Sequence, residues 1–169
     1  MTLRNFGEGA RTREVPEMAT NKETLYAAVR QRLDALTDGE DDPVALMATI
    51  ACELHQAMPH FHWTGFYRVT AAELLKIGPY QGGHGCLRIP FGKGVCGTAA
   101  RERRTVVVDD VDRFPGHIAC SATTRSEIVV PVMDAQGVVI AVLDVDSHLP
   151  GAFDEVDQRE LEAVCGRIG

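Results

Sequence analysis

Three cysteines of the chain stand among small residues: Gly85-Cys86, Gly94-Val95-Cys96-Gly97 and Ala119-Cys120-Ser121. Small neighbours let a backbone or a ligand come close to a sulfur. The chemistry open to such thiols is nucleophilic attack, disulfide exchange or metal ligation. The same spacing also suits three small buried hydrophobes, and the pattern by itself leaves both readings open. Cys96 stands where a helix should begin, and a helix dipole there would favour its thiolate. Cys52 and Cys165 differ, because both fall at helical spacing with core residues, so packing is the expectation for them.

Carboxylates form the second group. Asp144 and Asp146 alternate in Leu143-Asp144-Val145-Asp146-Ser147, at the end of an apolar strand. A period of two aims both at one face, where acids are costly unless solvated, paired or bound to a ligand. Glu127 opens the neighbouring strand. Trp63 and Tyr67 share a face and would serve as core or as the wall of a pocket for a thioether. His84 and His117 each stand close to a loop cysteine, where a positive charge would lower a thiol pKa.

The elements that must position these groups follow from periodicity. Thr20-Asn21-Lys22-Glu23 has the spacing of a capping box, predicting a helix with Leu25, Val29, Leu33 and Leu36 on one face. Asp42-Pro43 reads as an N-cap and a first-turn proline, followed by Leu46, Met47, Ile50 and Leu54 and a stop before Pro59. Strands are predicted at 61–69, with Trp63 and Tyr67 opposite Phe66, at 73–77, 86–90, 105–111, 127–133 and 138–145. A short helix spans about 95–101, Asp134-Ala135-Gln136-Gly137 makes a hairpin turn, and Asp154 caps a last helix carrying Leu161, Val164, Cys165 and Ile168. The order α-α-β-β-β-α-β-β-β-α, with short strand connections, predicts an α+β fold. Its antiparallel sheet of about six strands is covered on one face by the N- and C-terminal helices.

Bulk properties narrow the function. A chain of 169 residues with 45% apolar residues suits one domain at 20–169, preceded by a flexible tail at 1–19. A net charge of −7 argues against nucleic acid, which needs a basic surface. No apolar run is long enough for a bilayer span, and the mixed charges of 1–20 are not those of a secretory signal, so the expected compartment is the cytoplasm. Five cysteines in a reducing compartment argue against a disulfide framework. Without C-x-x-C or H-x3-H spacing they argue against zinc as well.

Several segments together resemble the free methionine-R-sulfoxide reductases, single-domain enzymes of the GAF fold. They are His62-Trp63-Thr64-Gly65-Phe66-Tyr67, Gly78-Pro79-Tyr80-Gln81-Gly82, Cys86-Leu87-Arg88-Ile89-Pro90 and Gly92-Lys93-Gly94-Val95-Cys96-Gly97-Thr98-Ala99. Further along come Gly116-His117-Ile118-Ala119-Cys120, Ser126-Glu127-Ile128-Val129-Val130-Pro131 and Val142-Leu143-Asp144-Val145-Asp146-Ser147. The resemblance implies a ligand pocket enclosed by loops on the sheet face away from the terminal helices. It implies Cys120 as nucleophile, Cys86 and Cys96 as resolving and recycling thiols in an order it leaves open, and Glu127, Asp144 and Asp146 around the substrate, walled by Trp63 and Tyr67. Glu127 and Asp146 would also take part in the chemistry. Free methionine-R-sulfoxide is the implied substrate and thioredoxin the implied external reductant, with no cofactor and no metal; dimerisation through the terminal helices is implied by analogy with other GAF domains. The alternative is a GAF module that senses a small molecule without chemistry.

Overall fold

The computed structural model describes the backbone of residues 16–169 and the side chains of residues 22–169. Most of the expected tail, residues 1–15, lies outside the described residues, and 16–19 belong to the first helix. Helices α1 (Pro16–Leu36) and α2 (Pro43–Ala57) lead into strands β1 (Trp63–Ala71), β2 (Leu74–Gln81) and β3 (Arg88–Pro90). Helix α3 (Gly94–Glu102), strand β4 (Val106–Val108), a 3-10 turn (Val111–Arg113), strands β5 (Ser126–Met133) and β6 (Val139–Ser147) and helix α4 (Glu155–Cys165) follow. The strands form one six-stranded sheet in the order β3-β2-β1-β6-β5-β4, with every neighbouring pair antiparallel. That is the expected α+β architecture.

Each face of the sheet has its own core. Phe66, Ile128, Val130, Leu143 and Val145 meet α1, α2 and α4 on one side. Trp63, Tyr67, Val129 and Val142 meet α3 and the loops on the other. Central strands buried on both faces read as nearly continuous apolar runs, as in Ile128-Val129-Val130-Pro131-Val132 after Glu127. An acid on such a strand therefore has no solvated face to turn toward.

Local signals account for most boundaries. Asp42 accepts from the N–H groups of Val44 and Ala45 ahead of Pro43, and Asp154 forms a full capping box with Asp157. The β5–β6 hairpin closes through Asp134, whose N–H donates to the Val138 carbonyl at 2.9 Å. Helix α1 differs from its prediction. It starts at Pro16, so Thr20 lies inside it, and Leu36 is 59% exposed while Tyr26 is fully buried. The reason is polar: the Tyr26 hydroxyl donates to Asp157 on α4 at 2.8 Å, and Lys22 pairs with the same carboxylate at 2.5 Å. A buried tyrosine needs such a partner for its polar tip. Burial alone would raise the Asp157 carboxyl, but bonds from His60, Lys22 and the Asp154 N–H outweigh it and hold the group at about 2. The predicted strand 105–111 is shorter than expected, because the Asp110 side chain caps the turn that begins at Val111.

Candidate active site

Register across the sheet brings the acids together. Glu127 on β5 pairs with Asp146 on β6, and Asp146 pairs with Trp63 on β1. One row along, Asp144 lies between Val129 and Gly65. Directly opposed residues of an antiparallel pair point to the same face, so Glu127, Asp144, Asp146 and Trp63 share the face that carries α3. Gly65 makes room there: a Cβ would stand 2.6 Å from the Trp63 ring and 2.4 Å from the Tyr80 Cβ. Trp63 stacks on Tyr67 and Tyr80 with ring centroids 5.8 and 5.5 Å away, and its Nε1 donates to the Gly83 carbonyl at 2.9 Å.

Above the acids lies a cleft lined by Cys96 and Lys93 of the β3–α3 region, by Thr124, Ser121, Cys120, Ile118 and His117 of the long loop before β5, and by Glu127, Asp144 and Asp146. Trp63 and Tyr67 lie beside this cleft and not on its lining. Glu127 and Asp144 are each 5% exposed. All three carboxyls are pushed well above their ordinary range, first by burial and then by one another: Asp146 acts on Glu127, Glu127 on Asp144, and Asp144 on Asp146. Asp144 Oδ1 has no hydrogen-bond partner. A buried carboxylate oxygen left unpaired is costly, so this face of the cleft is built to receive a donor or a cation.

Cys96 sits inside the acid group, its thiol donating to Glu127 Oε1 at 3.9 Å. Burial pushes this thiol up, and the charges of Asp144 and Glu127 push it further. The expectation of a dipole-favoured thiolate is therefore corrected. A helix terminus contributes about 0.3–1 kcal/mol at an exposed site, too little against full burial beside acids. His117 also departs from its expected role. Its Nε2 lies 3.6 Å from Glu127 Oε2, and burial holds the ring below its ordinary range, so it brings no positive charge to a thiol at neutral pH. His84 is exposed.

Cys86 and Cys120 are joined in a disulfide with a Cα separation of 5.3 Å. Cys86 lies in the β2–β3 loop, since β3 begins only at Arg88, and Cys120 is exposed on the loop before β5. The bond therefore closes the rim of the cleft at a point that solvent reaches. Cys165 is buried as expected, whereas Cys52 is only half-buried on α2.

The structure thus gathers Cys96, Cys120, Glu127, Asp144 and Asp146 into one cleft, joins Cys86 to its rim, and adds residues that were not singled out as site candidates. Lys93 is the only lysine or arginine on the lining among the described residues, and Thr124 bonds to Asp146. The available signal for Lys93 was Gly92-Lys93-Gly94. Gly94 has φ of +59° and packs on Ile118, so the turn that presents Lys93 requires glycine.

Known proteins place the chain. The profile of the GAF domain family matches residues 39–169. Protein YtsP of Bacillus subtilis is 40% identical over 148 residues, which cover 87% of this chain and 90% of that protein. The free methionine-R-sulfoxide reductase of Escherichia coli is 37% identical over 148 residues, 88% of each chain. The crystal structure of free methionine-R-sulfoxide reductase from Neisseria meningitidis in complex with its substrate superimposes with a TM-score of 0.82 at 41% identity, covering 94% of this chain and 92% of that one. With its sheet, its acid cleft and its rim disulfide alongside these relatives, the chain belongs to the free methionine-R-sulfoxide reductase family of GAF-domain proteins.

Proposed function

We propose that the protein reduces free methionine-(R)-sulfoxide to methionine, with Cys120 as nucleophile. The observation that carries this reading is the Cys86–Cys120 bond on the rim of a cleft whose floor holds two buried acids, Glu127 and Asp144, and the half-buried Asp146. The Cys120 thiolate attacks the sulfoxide sulfur. Glu127, whose carboxyl burial makes a weaker acid and so a better holder of a proton, delivers a proton to the departing oxygen. Methionine leaves and Cys120 carries the oxygen as a sulfenic acid. The Cys86 thiol then displaces that oxygen as water, and the disulfide forms. Two electrons have passed from the two sulfurs to the substrate. An external dithiol, thioredoxin in this proposal, returns them by exchange at the exposed Cys120 sulfur. Cys86 is assigned as resolver because it is the cysteine bonded to Cys120, while Cys96, deep among the acids, is assigned to the pocket.

Recognition of a free amino acid follows from the lining. The substrate ammonium faces Asp144 and Asp146, and its arrival lowers the cost of ionising them. Backbone N–H groups around Cys120, together with Lys93, face the carboxylate. Trp63, in register with Asp146, backed by Tyr67 and beside the cleft, is assigned to the methyl end of the substrate. A methionine inside a peptide lacks both charges.

The test is a chiral assay with free R and S sulfoxides, a peptide-bound sulfoxide and a dithiol. Turnover of the free R form alone, lost in Cys120→Ser even for a single turnover, supports the reading. Binding without reduction would make the domain a sensor. A Cys120→Ser protein that still releases about one methionine per chain would move the nucleophile elsewhere.

A further inference from the structure

We propose that the floor of the cleft is a zinc site, formed by Cys96, Glu127 and Asp144 with His117 within reach, and that zinc bound there excludes the substrate. One donor atom from each of Cys96, Glu127 and Asp144 lies within 4.8 Å of the other two, and all three residues are buried. The thiol and the Glu127 carboxyl are 3.9 Å apart, and His117 Nε2 is 3.6 Å from the other oxygen of that carboxyl. Zinc–sulfur and zinc–oxygen bonds of about 2.3 and 2.0–2.2 Å, at a tetrahedral angle, place neighbouring donors roughly 3.5 Å apart. For Cys96, Glu127 and Asp144, donors within 4.8 Å of one another close to that spacing with shifts of up to about 1.3 Å, within the range of side-chain torsions.

The donor chemistry selects the ion. One sulfur and two carboxylates, with the His117 imidazole beside Glu127, are a mixed set of the type zinc accepts, whereas calcium and magnesium ask for oxygen alone. A second observation, beyond the proximity of the donors, points to a ligand: Asp144 is 5% exposed, lines the cleft, and its Oδ1 has no partner. The donors come from α3, β5, β6 and the long loop, so no local spacing in the sequence announces them. The site also survives oxidation of the protein, because the disulfide uses Cys86 and Cys120 and leaves Cys96 free. On binding, zinc replaces the Cys96 thiol proton and any proton held by the carboxyls.

Zinc binding stands apart from the reductase reading, and only the inhibition rests on it. The binding experiment therefore uses the oxidised protein, in which the Cys86 and Cys120 thiols are bonded to each other. Calorimetric titration with zinc chloride should give one ion per chain. Cys96→Ser should weaken it by at least about tenfold, the lower end of what disturbing a metal site costs, while Cys52→Ser should leave it unchanged. Cobalt added to the unmodified oxidised protein should give a thiolate-to-metal absorption band, a readout that needs no variant to fold. If the absorption is missing, or Cys96→Ser binds zinc as tightly as its parent, the site is wrong. In the reductase assay, zinc should compete with the sulfoxide. Zinc bound at Cys96 that left the apparent KM unchanged would overturn the exclusion.

Discussion

Replacing Asp144 by Asn should move substrate binding and stability in opposite directions. The substitution keeps the side chain's size and removes its charge. Asp144 is 5% exposed with one oxygen unpaired, so an incoming ammonium meets a carboxylate that water does not shield. A hydrogen bond to a charged group contributes about 1.5–3 kcal/mol, which corresponds to a dissociation constant raised about 10- to 150-fold. Without substrate the same charge is a burden. Burial and then Glu127 raise the Asp144 carboxyl above its usual 3.8. A carboxyl raised in the folded state favours unfolding while it is ionised, and the penalty is relieved as pH falls through the raised value. Asp144→Asn should therefore melt higher at neutral pH, with the gain fading as pH is lowered toward about 4. Binding is measured by calorimetry in a Cys120→Ser background, where no turnover occurs, using free and N-acetylated methionine sulfoxide, alongside thermal melts across pH. The acetylated compound lacks the ammonium and should bind weakly to both proteins. Affinity for the free sulfoxide within about twofold of the parent would refute the pocket. So would a lower melting temperature at neutral pH, since it would mean that the carboxylate stabilises the empty cleft.

Cys86→Ser should release about one methionine per chain at an undiminished first-turnover rate, seen by quenched-flow chromatography, and then turn over slowly with thioredoxin. An unchanged steady state would make another thiol the resolver. Lys93→Gln should raise KM for the free sulfoxide and leave the methyl ester unaffected, because the ester lacks the carboxylate. An equal loss on both substrates would deny Lys93 that contact. Asp157, held at about 2 against an unfolded value near 3.8, stabilises the fold above about pH 4, and that contribution is lost as pH falls toward 2. Asp157→Asn should therefore cost about 2 kcal/mol at neutral pH in denaturant unfolding and little at about pH 2.

Much of this molecule was legible along the chain, because its signals are local. Asp42-Pro43 and Asp154 mark helix starts by bonding backbone N–H groups a few residues ahead, and Asp134 to Gly137 closes its hairpin within one turn. Alternation along β6 put Asp144 and Asp146 on one face, and alternation along β1 put Trp63 and Tyr67 opposite Phe66. The sevenfold set of segments carried the family, the reaction class and the candidate cysteines and acids. Tertiary structure decided the quantities that depend on which strands lie side by side. The pairing of β5 with β6 set Glu127 against Asp146, and folding of two separate loops brought Cys86 to Cys120. The direction of the Cys96 shift was beyond the sequence for the same reason. A helix start near Cys96 is visible locally, but the burial and the two acids that override it arrive from β5 and β6. His117 likewise stands three residues from Cys120 in the chain and faces Glu127 in space. Periodicity reports the face on which a side chain lies; burial, charge and neighbours on that face come from residues distant in sequence, and those set the chemistry.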